Sequence, residues 1–304
     1  MSETLRSKSE DSLTPHEAVL RAFSYFARLT PEEHAAVRRI LERVVHQTPD
    51  QADAWAMLAM MYIVEYSDSY NALPNPLERA VAAAQRAVDL APSHALGYYA
   101  LAWVYFFRKQ KASLHAAVER AVALNPIDGS IIGLLGLLLE HAGEERGLQM
   151  VERAIQLNPN YPGVLRFTAF THAYCQGKYV EALEAAVRIN MPGFFYAHAA
   201  LAAALGQLGQ REAAQKAALE VLALRPDFAA VARREYAKWY APIRIQSRLS
   251  GGELDFPRKS EPRSCLCRSG RCIRRSSRSS RSTRRNLVSL RQRPWRTSGM
   301  PASI

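Results

Sequence analysis

The sequence predicts an all-α solenoid of about six helix pairs, followed by a basic tail that is expected to be disordered. The main observation is a regular series of prolines separated by 34, 33, 33 and 34 residues: Pro92, Pro126, Pro159, Pro192 and Pro226. Proline ends a helix because it lacks a backbone N–H and restricts the residue before it. The series therefore indicates a two-helix repeat that ends at each proline.

Other residue types recur at fixed distances from these prolines. Alanine or valine stands five positions before each one: Ala87, Ala121, Ala154, Val187 and Val221. Leucine or threonine followed by a small residue stands nine and ten positions after the first four: Leu101-Ala102, Leu135-Gly136, Thr168-Ala169 and Leu201-Ala202. Glycines predict tight turns at the ends of three first helices: Gly143, Gly177 and Gly209. The mostly small residues in the column before the prolines predict close packing of the two helices of a pair.

Together these columns resemble the tetratricopeptide repeat, in which about 34 residues form two antiparallel helices. The resemblance implies a solenoid in which each repeat buries its apolar face by stacking on a neighbour. The solenoid is predicted over residues 15–240, after a disordered N-terminus at 1–14. Its pairs are expected at about residues 18–49, 52–92, 95–126, 129–159, 162–192 and 195–226, with a closing helix at 228–240.

One repeat is longer than the others, because 43 residues separate Pro49 from Pro92. The excess lies in a turn-rich stretch at residues 65–80, between the two helices of the pair. Such inserts are expected to project from one edge of a solenoid.

Three longer stretches resemble the C-terminal repeat module of bacterial multidomain signalling proteins, including class III adenylate cyclase-like proteins and TolB-like regulators: residues 65–107, 189–214 and 224–240. The resemblance covers about residues 15–240. In that family a catalytic or DNA-binding domain precedes the repeats, and we expect no room for one in this sequence. The resemblance implies an interaction or regulatory module without cyclase activity.

The first helix of each pair is expected to line the concave face of the solenoid, and its inward positions are mainly aromatic. The predicted groove-binding residues are Tyr99, Trp103, Phe107, Arg166, Phe170, Tyr174 and Tyr196. Two interpretations remain open, namely that these residues anchor a peptide or amphipathic helix, or that they are buried between adjacent repeats. Repeats that bind the acidic tails of chaperones carry Lys, Arg and Asn in these columns, so an acidic-tail client is not expected.

Catalytic, metal and membrane motifs do not emerge from the sequence. Its eight histidines are dispersed, and no Gly-rich phosphate loop precedes a predicted helix. Three cysteines of the tail lack a fourth ligand for zinc: Cys265, Cys267 and Cys272. The longest apolar stretch, residues 131–139, is too short to span a bilayer. We therefore expect a cytoplasmic, non-catalytic protein that has no cofactor and no membrane partner and binds a protein or peptide client.

Basic charge is concentrated near the C-terminus. The net charge is +12, and residues 251–304 carry 14 basic and 3 acidic side chains, against 26 and 25 in the first 250 residues. Three interpretations of residues 241–304 remain open: an Arg/Ser segment that binds RNA or another anionic partner, a solubilising extension, or out-of-frame translation after residue 242. The alternative function is therefore nucleic-acid binding, which is expected only through this tail.

Overall fold

The computed structural model describes residues 8–158, 161 and 163–239, and these residues contain α-helices and turns but no β-strand. Two short 3-10 helices occur at Glu10–Ser12 and Gly163–Leu165. The α-helices of the described chain are α1 (Pro15–Tyr25), α2 (Pro31–Gln47), α3 (Ala52–Ser67), α4 (Pro76–Leu90), α5 (Ala95–Phe107), α6 (Lys111–Leu124), α7 (Gly129–His141), α8 (Arg146–Leu157), α9 (Arg166–Cys175), α10 (Tyr179–Ile189), α11 (Phe195–Gln207), α12 (Arg211–Leu224) and α13 (Phe228–Lys238).

Consecutive helices form six pairs, from α1 and α2 to α11 and α12, and α13 follows the last pair. Short connections make the helices of a pair antiparallel neighbours. At three of these connections the backbone φ is +88° at Gly143, +77° at Gly177 and +72° at Gly209. Glycine accepts this left-handed conformation without the steric cost of a Cβ atom, so the predicted turns are confirmed. The structure is an all-α solenoid of the tetratricopeptide type, as predicted.

Local sequence signals explain where several helices begin. Pro15, Pro31 and Pro76 lie in the first turns of α1, α2 and α4, where a missing N–H costs no helical hydrogen bond. Thr14 and Glu17 form a capping box, because the Thr14 hydroxyl accepts from the Glu17 N–H at 3.3 Å and the Glu17 carboxylate accepts from the Thr14 N–H at 3.0 Å. These contacts fix the start of the first pair.

The helices form two layers, and the third pair shows a clear difference in burial between them. The first helices of the pairs make an inner layer (α1, α3, α5, α7, α9 and α11), and the second helices make an outer layer (α2, α4, α6, α8, α10 and α12). Helix α5 buries 11 of its 13 residues, whereas its partner α6 buries only 4 of 14. The core therefore lies around the inner layer.

The column five residues before each proline is buried at Ala121 and Ala154, but Val187 is 61% exposed. Its neighbour Ala186 is buried in its place. One residue separates the ends of α4, α6 and α8 from the following prolines, whereas two residues separate the end of α10 from Pro192. This extra residue shifts the register by one position, so the prediction for Val187 is wrong.

Part of the predicted disordered N-terminus has a described structure. Residues 10–12 form a 3-10 turn and Leu13 is buried. The Arg39 guanidinium donates to the Glu10 carboxylate at 2.9 Å, and Arg43 donates to the Glu10 carbonyl. An apolar anchor and two arginines of α2 thus hold residues 10–13 against the first pair. Residues 1–7 and the predicted tail at 241–304 lie outside the described residues.

None of the helices in the described chain combines the length and the apolar character that crossing a membrane requires.

Candidate functional site

The concave side of the described solenoid encloses a cavity of about 620 Å³, which we call the lumen. All six helices of the inner layer contribute to its wall, together with α13. One wall residue from each of these seven helices is Phe23, Met60, Trp103, Leu134, Phe167, Tyr196 and Tyr236. The lumen therefore touches every repeat and the closing helix.

The wall is mainly aromatic and aliphatic. Trp103 of α5 and Trp239, which follows α13, meet edge to face with ring centroids 6.2 Å apart. Tyr196 of α11 lies 6.2 Å from the same Trp239 ring. These contacts join the third repeat, the last repeat and the closing helix across the lumen, so the chain curls back on itself.

A buried ionic group beside the lumen strengthens this closure. The Glu235 carboxylate of α13 accepts from Arg225 Nη1 at 3.2 Å and from Lys238 Nζ at 2.7 Å. The Glu235 side chain is inaccessible to solvent. Burial alone would raise the pKa of Glu235, but its contacts with Lys238 and Arg225 outweigh burial and lower that pKa.

The same cations bind the end of α3 and the α3–α4 loop, residues 68–75, which both lie within the insert at residues 65–80. Arg225 Nη1 donates to the Asp68 carbonyl at 3.1 Å. Lys238 Nζ donates to the Tyr66 carbonyl at 2.7 Å and to Ser69 Oγ at 3.0 Å. We call Asp68, Arg225, Glu235 and Lys238 the closure cluster. The insert therefore does not simply project from an edge, because it packs against the closing helix.

Asp68 belongs both to the closure cluster and to the wall of the lumen. Its side-chain Oδ2 accepts from the Ser67 hydroxyl at 2.8 Å, whereas Oδ1 is buried without a hydrogen-bond partner in the described structure. Burial raises the pKa of Asp68 to about 7, and the Ser67 hydrogen bond and the charges of Lys238 and Arg225 offset only part of that rise. Asp68 is thus a buried carboxyl group with one unused acceptor.

Three aromatic residues of the wall also have unpaired polar atoms. The Trp103 Nε1, the Tyr196 hydroxyl and the Trp239 Nε1 are buried, and none of them has a hydrogen-bond partner among the described residues. Buried polar atoms are normally hydrogen-bonded, so each such atom requires an explanation. Four residues of this mainly apolar wall, including Asp68, therefore carry a buried polar atom that no described group satisfies.

The structure brings four of the seven predicted groove residues to the lumen wall: Tyr99, Trp103, Phe170 and Tyr196. All four are also largely buried among neighbouring side chains. The two interpretations of the sequence therefore do not exclude each other, because the same aromatic rings pack against adjacent helices and face the cavity.

The other three predicted residues do not contribute to the wall. Phe107 packs against Tyr66 and Trp239, with centroid distances of 5.4 Å and 5.1 Å. Tyr174 is fully buried beside Phe170, at 5.4 Å between ring centroids. The Arg166 guanidinium lies 4.7 Å from the centre of the Tyr161 ring. Each of these three side chains therefore packs against a residue of the wall.

Sequence reasoning missed two important wall residues, Asp68 and Trp239. The length of the insert at residues 65–80 indicated a departure from the regular repeat, but it did not indicate contact with α13. No group of three or more His, Cys, Asp or Glu side chains within the described ranges is arranged to hold a metal ion.

No protein-family model matches the chain. No curated protein matches it either. Among solved structures it is similar to YrrB, described as a TPR protein with an unusual peptide-binding site, at 21% identity over 64% of this chain and 97% of that one, with a TM-score of 0.37. It is also similar to two MamA crystal structures, at 19% and 20% identity, each with a TM-score of 0.29. They cover 71% and 66% of this chain and 96% and 92% of their own. Because these scores are below 0.5, the fold assignment rests on the chain's own helices.

Proposed function

We propose that the protein is a non-catalytic, cytoplasmic interaction or regulatory module that binds a peptide or helix of a client protein in the lumen. The observation that carries this proposal is the contribution of the inner helix of every repeat to one apolar cavity. The resemblance of residues 15–240 to repeat modules of bacterial signalling proteins supports a regulatory role.

The size and chemistry of the lumen support binding. Its volume of about 620 Å³ lies within the range of ligand pockets, which are mainly apolar with a few placed polar groups. Tyr99, Trp103, Phe170 and Tyr196 are the proposed aromatic contacts, because buried aromatic rings dominate the energetics of interfaces. Phe107, Arg166 and Tyr174 would act by positioning these rings.

The test is to place a charge in the lumen wall without disturbing the core. Ile131 is a half-buried wall residue in the first turn of α7, where an aspartate is compatible with the helix dipole. Clients captured by the full chain would be identified and then titrated against the Ile131→Asp variant. We expect binding to weaken by at least about tenfold, because an unpaired carboxylate disfavours an apolar contact.

The matched control is Ile127→Asp, which makes the same change at a side chain that is 78% exposed outside the lumen. This control should bind the client as the parent chain does. Equal affinity of the Ile131→Asp variant for every captured client would show that binding does not occur in the lumen.

The alternative function is RNA or anionic-partner binding through residues 241–304, and it is favoured by the 14 basic side chains at residues 251–304. Contacts with phosphates weaken steeply as salt rises, whereas an apolar contact does not. Titration of the full chain at low and moderate salt with single-stranded RNA therefore separates this function from client binding in the lumen.

A further inference from the structure

Residues 225–239, which we call the closing segment, follow the last repeat and complete the wall of the lumen. The segment contributes Tyr236 and Trp239 to that wall. Each repeat of a solenoid is stabilised mainly by its neighbours, so an element that follows the last repeat is the easiest to detach. The six helix pairs can therefore stay stacked when the closing segment opens.

Polar contacts with the insert hold the closing segment in its closed position. Ser69 Oγ donates to the Glu235 carboxylate at 3.2 Å, and Lys238 Nζ donates to Ser69 Oγ and to the Tyr66 carbonyl. Lys109, which follows α5, donates to the Lys238 carbonyl. Charged groups regain their hydration when they are exposed, and this offsets much of the attraction that opening removes. These contacts therefore define the closed position without preventing opening.

The insert is held in place by contacts that do not involve the closing segment. Arg38 of α2 donates to the Glu65 carboxylate at 2.8 Å and to the Asn71 carbonyl at 2.9 Å. Asn71 Nδ2 donates to the Pro31 carbonyl at 2.6 Å, and the Leu73 N–H donates to the Glu65 carboxylate at 3.0 Å. The insert is thus tied to α2 and keeps its position when the closing segment moves.

We propose that the closing segment is a reversible gate of the lumen, which opens by separating from the insert while the six helix pairs stay folded. This inference rests on the proposed function, because a gate regulates binding only if a client occupies the lumen. A client that contacts Tyr236 and Trp239 binds the closed form more tightly than the open one, so closure and binding favour each other.

Asp68 makes this gate sensitive to pH. In the closed form, burial raises the pKa of Asp68 from 3.8 to about 7. Opening separates Asp68 from Arg225 and Lys238 and admits water, so its pKa returns towards the ordinary value. The closed form thus binds this proton more tightly, and the stability that it gains in mild acid is lost as the pH rises through about 7. Mild acid therefore favours the closed gate.

Other ionisable groups near the gate change charge mainly outside this pH range. The groups that face Asp68 are Tyr25 of α1, Tyr70 of the insert, Tyr196 of α11, Arg225, and Glu235 and Lys238 of α13. Burial raises the pKa of all three tyrosines, and its cationic neighbours lower the pKa of Glu235. Burial lowers the pKa of Lys109 to about 8, which leaves it mostly charged at neutral pH. Histidine also changes charge near neutral pH, and the His141 ring lies 6.3 Å from that of Trp239, so the test includes a variant at Asp68 itself.

The experiment is hydrogen exchange of the backbone amides of the full chain, measured by mass spectrometry at pH 5.5 and 7.5 and corrected for the intrinsic exchange rate. We expect the amides of α13 to exchange at least about tenfold faster than those of α5 at both pH values, because local opening is more frequent than global unfolding. Between pH 5.5 and 7.5 the exchange of α13 should accelerate by about tenfold, because opening releases one proton over most of this range.

Two variants test the contacts that control the gate. Asp68→Asn removes the titrating carboxyl group, so most of the pH dependence of α13 exchange should disappear. Lys238→Gln removes the cation that binds the insert and should accelerate α13 exchange by about tenfold at both pH values. The matched control is Lys216→Gln, which alters an exposed lysine of α12 and should leave α13 exchange as in the parent chain.

The outcomes separate this inference from the proposed function, because the exchange measurement needs no client. Exchange of α13 as slow as that of α5 would overturn the gate, since α13 would then open only when the whole chain unfolds. A parent-like pH dependence in Asp68→Asn, or none in the parent chain, would overturn the control by Asp68. A failed gate leaves the Ile131→Asp titration to judge binding in the lumen. If Asp68→Asn does not fold, the pH series on the parent chain and Lys238→Gln still decide the proposal.

Discussion

The inner and outer layers of the solenoid have different sequences because they meet different surroundings. Helix α5 lies between its partner α6, the neighbouring repeats and the lumen, so hardly any of its surface reaches solvent. Helix α6 instead buries one stripe made of Leu114, Ala117, Val118 and Ala121. An all-round apolar helix followed by an amphipathic one is what this two-layer arrangement requires.

The two layers have different roles. Inner-layer residues contribute to stability and also form the wall of the lumen, so a single ring such as Trp103 serves both purposes. Outer-layer residues do not line the lumen, and they act by closing the inner helices off from water. Mutations in the inner layer should therefore affect both stability and binding, whereas mutations in the outer layer should affect stability alone.

The largest effect is expected for Trp103→Ala. The Trp103 ring contacts Tyr99, Phe107 and Trp239, at centroid distances of 6.4, 6.1 and 6.2 Å, and it is almost inaccessible to solvent. Its removal leaves a cavity between repeats and should lower the free energy of unfolding by about 3 to 5 kcal/mol. Chemical denaturation followed by circular dichroism measures this loss.

Phe23→Ala is the control for that prediction, because Phe23 lines the same lumen but is 45% exposed. Its loss should cost clearly less, about 1 kcal/mol. Similar losses at Trp103 and Phe23 would contradict the distinction between a ring that packs between repeats and a ring that only lines the wall.

Much of the fold could be predicted from the sequence because its signals are local and repeated. The proline series and the turn residues Gly143, Gly177 and Gly209 reflect backbone chemistry that acts within a few residues. Errors arose where one residue breaks the period, as at Asn190, which adopts a left-handed φ of +46° after α10. A prediction that counts a fixed number of residues from each proline cannot detect such a shift.

The candidate site was less predictable because it depends on curvature. Asp68 and Arg225 meet although 157 residues separate them, and no periodic pattern indicates that contact. Whether a solenoid closes depends on small packing angles that add up over all repeats. The aromatic positions on inner helices were visible in the sequence, whereas their enclosure by Trp239 and the insert was not.

The Ala121→Leu variant tests close packing between the layers. Ala121 of the outer helix α6 is completely buried. Ala121→Leu adds three carbon atoms where no space exists, and it should lower the free energy of unfolding by about 1 to 3 kcal/mol. Because Ala121 does not line the lumen, peptide affinity per folded molecule should stay unchanged. A denaturation curve and a titration on the same variant test both parts, and an unchanged midpoint would refute the close packing.

The smallest effect is expected at Val187, and it decides between the register counted back from the prolines and the register observed in the structure. If the count from the prolines held in the fifth repeat, Val187 would occupy the position equivalent to Ala121, and Val187→Leu would destabilise the protein. Because Val187 is 61% exposed, we expect instead a change of less than about 0.5 kcal/mol in the free energy of unfolding. Ala186→Leu, one residue earlier and buried, should cost about 1 to 3 kcal/mol by overpacking. The denaturation midpoints of the two variants measure both effects. A larger loss of stability for Val187→Leu than for Ala186→Leu would contradict the observed register, in which the extra residue of this repeat lies between Ile189 and Pro192.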